Sequence, residues 1–368
     1  MRFLITGICG FAGSELAVRF LERAEGSGIF GIDNLSRPGA EVNRAKLGLL
    51  GIEVFHGDTR LASDLENLPA ADWVIDAAAN PSVLGGVDGR SSSRQLVEHN
   101  LSGTLNTLEY CKRHGAGFVL LSSSRVYSIP ALASAPLRNA GRAFALDAGG
   151  PLPPGLSENG ISEAFSVAPP VSLYGSTKLA SETMALEYGC TFGFPVWIDR
   201  CGNLAGRGQF GTAGQGIFSY WIHAHAARKP LRYSGFGGHG YQVRDVFHPD
   251  DLARLLWEQM KYSSQDGGRI FNAGGGAENA MSLAELTAWC DERFGPHAPE
   301  PGGDARPFDL PWIVMDSSKA RERFGWQPLR SLRSILEEIG EHARSQPNWL
   351  DVSTGSHLYF PGGERVKA

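Results

Sequence analysis

Met1-Arg-Phe-Leu-Ile-Thr6-Gly7-Ile-Cys-Gly10-Phe-Ala-Gly13 opens the chain, and how this stretch is read decides the fold. Its first six residues make a short, mostly apolar run of the kind buried in a parallel sheet, and they lead straight into three glycines spaced three apart. Gly7 suits a tight turn, and Gly10 lets the backbone approach a pyrophosphate. Gly13 lets the next helix lie against the strand with its N-terminal amides toward the phosphates. Glycine is common here, 47 of 368 residues, and any tight strand-to-helix turn could carry three of them. The strand before and the amphipathic stretch Ser14–Ala24 after favour a dinucleotide site formed by Gly7, Gly10, Phe11, Ala12 and Gly13.

The composition fits one large α/β domain with a smaller second lobe: 42% of residues are hydrophobic, enough for a full core. A net charge of −5 without basic runs leaves no electrostatic footprint for nucleic acid or an anionic membrane, so an anionic ligand must be held by local arginines. No apolar run approaches the roughly 20 residues of a membrane span, and a first strand starting at Met1 leaves no room for a signal peptide. A soluble, cytoplasmic protein is expected. Cys9, Cys111, Cys190, Cys201 and Cys290 are odd in number and lack a C-x-x-C pair, which suits reduced thiols rather than disulfides or zinc. His223 and His225 read as a helix surface or interface, and no metal is expected.

Further along, Gly28-Ile-Phe-Gly-Ile-Asp33 is a second buried strand ending in a carboxylate where such folds hold the adenosine ribose. Asp33 would accept from both ribose hydroxyls and repel a 2′-phosphate, favouring NAD over NADP. Asn34, Ser36 and Arg37 follow; Arg37 could pair with a 2′-phosphate or stack on adenine. A third strand, Gly51–Phe55, leads to His56-Gly-Asp58-Thr59, where Asp58 either accepts from the adenine amino group or caps the helix from Leu61 onward. The fourth strand, Trp73-Val-Ile-Asp-Ala77-Ala78-Ala79, closes on small residues that permit close approach of a cofactor. Asn100 lies in the long helix that follows, a costly place for Asn unless its amide bridges neighbouring strands. The fifth strand, Phe118–Ser124, brings Ser122 and Ser123 to the ligand edge. Ser128–Pro170, rich in Pro, Gly and Ala, reads as a long irregular insertion serving as a functional loop.

Tyr174-Gly-Ser-Thr-Lys178 then opens a helix in which Tyr and Lys share one face. A phenol with an ordinary pKa of about 10 is a poor base unless a nearby ammonium stabilises the phenolate, and Lys178 supplies one.

The glycine turn, Asp33, Asp58, the Ser-Ser-x-x-Val-Tyr run at Ser122–Tyr127 and Tyr174-x-x-x-Lys178 together resemble the extended short-chain dehydrogenase/reductase family of nucleotide-sugar epimerases and dehydratases, over nearly the whole chain. The resemblance implies a Rossmann-type doubly wound parallel sheet over 1–206, a substrate-capping lobe over 207–350 with segments returning to the first domain, and a tail over 351–368. It implies bound NAD, a nucleotide-sugar substrate and a homo-oligomer, dimer or tetramer. The sixth strand, Val196–Arg200, runs into Cys201, which resembles the segment passing the nicotinamide. Asn203, Arg244 and Arg306 resemble the family's diphosphate ligands, and two guanidinium forks on a pyrophosphate make physical sense. Shorter runs, Asp33–Arg37, Gly208-Gln209-Phe210, Gln215-Gly216 and Gly240–Asp245, look most like the branch that inverts C2 of a CDP-linked hexose. Asp76 departs from the family, which often carries His there.

By that resemblance Ser123, Tyr174 and Lys178 are the catalytic set, Ser123 also touches substrate, and Gln209 lies where the reacting carbon is chosen. A 4,6-dehydratase would need an Asp-Glu pair where Ser124-Arg125 stand, and a non-catalytic NAD-binding regulator would be expected to lose Tyr174 or Lys178. An epimerase is therefore expected.

Overall fold

The computed structural model describes residues 1–356 apart from 24, 25, 88, 90, 91, 148, 263–267, 303 and 305. Seven parallel strands form the central sheet: β1 (Arg2–Thr6), β2 (Gly28–Asp33), β3 (Glu53–His56), β4 (Trp73–Asp76), β5 (Gly117–Ser123), β6 (Val196–Cys201) and β7 (Ile270–Ala273). Their order is β7-β6-β5-β4-β1-β2-β3, so the chain starts in the middle, builds out one way and then crosses back to build the other. That reversal between β1 and β4 leaves a crevice at the carboxyl ends of the strands. The doubly wound α/β fold read from the sequence is the fold observed.

The central strands are covered on both faces, which is why Phe3-Leu4-Ile5 and Phe118-Val-Leu-Leu121 are continuous apolar runs. Phe3 and Ile5 pack with Leu16 and Phe20 of the helix Phe11–Arg23 and with Leu252 and Leu256 of the helix Pro249–Lys261. On the other face Leu4, Val74 and Phe118 pack with Leu108 and Ala185 from the helices Gly103–His114 and Ser172–Phe192. Burying each such side chain stabilises by about 1.5–3 kcal/mol. β7 is not among the strands read from the sequence. β4 stops at Asp76, three residues early, because that carboxylate accepts from Thr6 Oγ1 (2.6 Å) and Thr104 Oγ1 (2.7 Å), and the Ala78 amide turns onto the Thr6 hydroxyl at 3.1 Å. The departure at Asp76 is thus a buried tie between β1, β4 and the Gly103–His114 helix.

The Ser128–Pro170 segment corrects the expectation of an irregular loop. It holds a short helix, Ile129–Ala133, and two hairpins, Leu137–Ala140 with Ala143–Leu146 and Leu156–Ser157 with Gly160–Ile161. The Ile161 amide donates to Val314 O (2.8 Å) and its carbonyl accepts from Asp316 N (2.9 Å). Leu132, Leu156, Ile161 and Phe165 share one core with Trp312, Ile313 and Met315. Strands of two to four residues are too short to establish a period, so this order is invisible to periodicity.

A second, smaller group of strands, Asn203–Leu204, Val243–Phe247, Ala280–Ser282 and Trp312–Ile313, carries the helices Ile217–Ala226, Leu283–Phe294 and Leu332–Ser345. Phe218, Trp221, Ile222, Leu286, Ile335 and Ile339 form its core. His223 and His225 do not lie on a surface: both are buried in this lobe. Their helix is largely apolar, and the two rings find partners inside the lobe, His223 Nε2 with His342 Nδ1 (3.0 Å) and His225 Nε2 with Asp291 (2.9 Å). The chain stays helical through Trp349–Thr354; of the expected tail, residues 357–368 lie outside the described residues. Among the described residues no helix is long and apolar enough to cross a membrane.

Candidate active site

Gly7 sits at φ +62°, and a side chain there would stand 2.8 Å from Ala78 Cα; at Gly13 it would stand 2.4 Å from the Gly7 carbonyl oxygen. Strand, turn and helix close on one another only because both side chains are missing. The helix that starts at Phe11 has no acidic residue in its first turn, so no carboxylate competes with an anion for its N-terminal amides. This turn is one wall of a cavity of about 370 Å³ that runs along the strand ends. Gly7, Gly10, Phe11, Ala12, Gly13, Asn34, Ser36, Thr59, Ala77, Ala78 and Ala79 line it, together with Asp33, Asp58, Ser122, Lys178 and Cys201.

Asp33, at the end of β2, accepts from the Cys9 amide (2.9 Å) and the Leu35 amide (2.8 Å). Burial pushes its carboxyl above the usual range while these two donors oppose the shift. Each oxygen keeps a second lone pair for a ribose hydroxyl. Arg37 lines the same cavity, and its guanidinium is held there by donating to Gln215 Oε1 and, at 3.2 Å, to Phe210 O, 5.9 Å from the centre of the Phe210 ring. It therefore ties the cavity rim to the second lobe. Asp58 is not a helix-capping side chain; Leu61 is the cap residue of the helix Ala62–Glu66. Arg60 clamps the Asp58 carboxylate at 2.6 and 2.9 Å and Asn34 adds a third bond (3.0 Å), holding that carboxyl well below the usual range.

Tyr174 and Lys178 project from one face of the Ser172–Phe192 helix and are buried. A side chain at Gly175 would stand 2.3 Å from Arg125 O, so glycine there lets the helix settle on the turn that follows β5 and brings Tyr174 to Ser123. The Ser123 hydroxyl bonds the phenol and accepts from the Arg125 amide at 3.1 Å. Burial raises the Tyr174 phenol, opposed by the Ser123 hydrogen bond and the positive charge of Arg125. Lys178, in the same cavity, donates to Leu121 O at 2.9 Å, and burial lowers its ammonium.

Asn100 does bridge through its amide, between a loop and a helix rather than between strands. It lines neither cavity, since its amide is spent on Asn80 N (2.7 Å), Asn80 O (3.1 Å) and Thr177 Oγ1 (3.1 Å). From a π-helical turn, Glu98–Ser102, it joins the loop after β4 to the Tyr174 helix and shapes the wall from behind.

A second cavity of about 460 Å³ adjoins the first, and Ser123, Tyr174 and Gln209 belong to both. Asn203, Arg244 and Arg306 line it. Arg244 is paired with Asp309 (3.0 Å), and Arg306 reaches Gly214 O (3.2 Å). Arg125, Tyr220, Gln242 and Asp309 also line it; none is a site candidate from sequence, and Tyr220 lies outside every run singled out there.

This fold with this paired site defines an NAD-dependent enzyme of the short-chain dehydrogenase/reductase type. The sequence model of the NAD-dependent epimerase/dehydratase family matches residues 3–274; the chain belongs to that family, and NAD is its cofactor. It is 29% identical to CDP-paratose 2-epimerase of Salmonella typhi, covering 92% of this chain and 98% of that one. It is 25% identical to UDP-glucuronate 4-epimerase of Thermodesulfobacterium geofontis, covering 91% and 94%. The fold superposes on UDP-glucuronic acid 4-epimerase of Bacillus cereus, solved with UDP-glucuronic acid and NAD, with a TM-score of 0.72 at 24% identity, covering 94% and 99% of the two chains.

Proposed function

We propose that this chain is a nucleotide-sugar epimerase that inverts one sugar carbon through a transient ketone, with C2 of a CDP-linked hexose such as CDP-paratose as the favoured case. The observation that carries this reading is the meeting of two ligand-sized cavities at Ser123 and Tyr174. Residues 1–206 hold the cofactor and 207–350 close over the sugar nucleotide, with segments such as Pro249–Lys261 and Ile270–Ala273 returning to the first domain, in a cytoplasmic enzyme. NAD, held along the glycine turn, Asp33 and Lys178, would supply reversible hydride transfer at the sugar carbon. Tyr174 takes the hydroxyl proton as that C–H bond breaks and gives it back when the ketone is reduced from its other face. Ser123 bonds the same oxygen as its charge develops, and Lys178 holds the ribose end. Arg244 and Arg306, with Asn203, hold the diphosphate.

Dehydration is disfavoured because water loss needs a carboxyl acid and base. Ser124 and Arg125 stand where that pair would be, and among the described residues lining the second cavity Asp309 is the sole carboxylate and is tied to Arg244. The choice of carbon rests on the Gln209, Phe210, Gln215 and Gly216 loop and on the likeness to the Salmonella enzyme. A C4 epimerase of a UDP- or GDP-hexose is the second reading, favoured by the UDP-glucuronate relative.

Incubation with CDP-, GDP-, UDP- and dTDP-hexoses in heavy water, followed by NMR of the sugar ring, tests this. The expected product is inverted at C2 with its original hydrogen, because a stored hydride does not exchange with solvent. Deuterium at the inverted carbon would mean direct deprotonation, a 4-keto-6-deoxy product would mean dehydration, and inversion at C4 alone would select the second reading.

Cofactor choice gives a further expected result. A 2′-phosphate beside Asp33 places like charges together, so the protein should bind NAD roughly tenfold or more tighter than NADP, and Asp33→Ala should narrow that gap. Fluorescence titration with both dinucleotides measures it, and tighter NADP binding by the unaltered protein would refute the role given to Asp33.

A further inference from the structure

The second cavity carries more positive charge than the two arginines assigned to a diphosphate explain. Arg125 sits in the turn Ser124–Val126 directly after β5, its Nη1 donating to Phe308 O at 3.1 Å. Its charged neighbours are Arg244, Asp309, Arg306 and the Tyr174 phenol. Three guanidiniums therefore face one carboxylate, and that carboxylate is committed to Arg244 at 3.0 Å. Arg232, which also lines the cavity, is paired with Asp304 (2.8 Å). The uncompensated excess is two positive charges, on Arg125 and Arg306, and a diphosphate diester carries two negative ones. Crowding like charges in a partly desolvated cavity is unfavourable unless a ligand answers them.

We propose that Arg125 is a third arginine of the diphosphate clamp, gripping the sugar-proximal phosphate and fixing its distance from Ser123 and Tyr174. This rests on the nucleotide-sugar reading of the site. Three features suit Arg125 to the role. Its backbone amide holds the Ser123 hydroxyl (3.1 Å) and its carbonyl packs against Gly175 beside Tyr174, so the guanidinium is rigidly indexed to the reacting end. One Nη is anchored on Phe308 O, from the same loop that carries Arg306 and Asp309. The rest of the fork remains to meet an anionic oxygen. Arg125 is a specificity-determining residue in this scheme: with the phosphate fixed relative to Tyr174, it sets which ring carbon lies under the phenol.

The test is calorimetric binding of CDP, CMP, UDP and UMP to the NAD-loaded protein, unaltered and as Arg125→Gln and Arg125→Lys, with UDP-glucose and UDP-glucuronate as further probes. If the unaltered protein binds no nucleotide, the nucleotide-sugar reading itself fails. If it binds a diphosphate, Arg125→Gln is expected to weaken that binding roughly 10–100-fold, the worth of a charge-assisted hydrogen bond, while the monophosphate changes little. Arg125→Lys should fall between, since it keeps the charge and loses the fork; it carries the test if the Gln variant does not retain NAD. Equal weakening of diphosphate and monophosphate overturns the proposal. So does unchanged diphosphate binding, or a loss confined to UDP-glucuronate, which would assign Arg125 to a sugar carboxylate.

Discussion

Tyr174→Phe is expected to lower turnover about 10²–10⁴-fold, the range that a positioned general acid–base contributes, while NAD affinity stays nearly unchanged. The aromatic ring is what fills the wall at the junction of the two cavities, and phenylalanine keeps it. What disappears is the oxygen that meets the Ser123 hydroxyl and feels the Arg125 charge. Because burial raises the phenol, the Ser123 bond and the nearby guanidinium are the features that bring its proton transfer back toward neutral pH, and neither has another phenol to act on once the hydroxyl is gone. Single-turnover and steady-state rates on the best substrate of the NMR panel, beside an NAD titration, separate the two effects. Retention of more than about a hundredth of the rate would mean that another group takes the proton. Loss of NAD binding together with activity would mean that Tyr174 is structural.

The parts of this site that could be read from sequence are those where spacing itself carries the physics. Three glycines spaced three apart after a buried strand, and Tyr and Lys four apart on a helix, state a geometry that the chain can satisfy in few ways, and the described cavity contains all of them. Asp33 was legible because a carboxylate ending an apolar strand needs a reason. Asn100 was legible as a buried bridging amide, yet not in its partners: the residues it joins, Asn80 and Thr177, are far apart in sequence. Arg37 shows the same limit. Its position near the adenosine end suggested a phosphate or an adenine, whereas it is taken by Phe210 and Gln215, and nothing local predicts that a loop some 170 residues away will reach back to it. The hairpins within 137–161 were hidden for another reason: their strands are only two to four residues long and are tied to distant chain, Phe144 to Tyr241 and Ile161 to Val314, Met315 and Asp316.

Glu182→Gln should cost about 3–5 kcal/mol of folding stability, equivalent to roughly 10²–10⁴ in the unfolding equilibrium, although Glu182 lines neither cavity. Glu182 and Arg200 form a bidentate pair, Nη2 to Oε2 at 2.7 Å and Nε to Oε1 at 3.1 Å, with side chains only 4% and 6% exposed. A surface pair such as Lys261–Glu258, about half exposed on both sides, contributes between about 0 and 1 kcal/mol, so burial rather than the ion pair as such sets the scale here. Neutralising one partner leaves the Arg200 guanidinium in the interior with a weaker acceptor, and the ring of Tyr127, 5.2 Å away, compensates for little of that. The position makes the cost consequential. Arg200 is in register with Ser122, and Cys201 with Ser123, while Ser122 donates to Glu182 Oε1 at 2.5 Å. One buried pair thereby ties β5, β6 and the helix of Tyr174 together immediately behind the reacting groups. Urea titrations of the unaltered protein and of Glu182→Gln should show the lower midpoint, and replacing both partners, Glu182→Leu with Arg200→Met, should recover part of the loss because no charge is then left buried alone. A shift corresponding to less than about 1 kcal/mol would mean that the pair is effectively solvated, and that the register of β5 on β6 is held by backbone bonds alone.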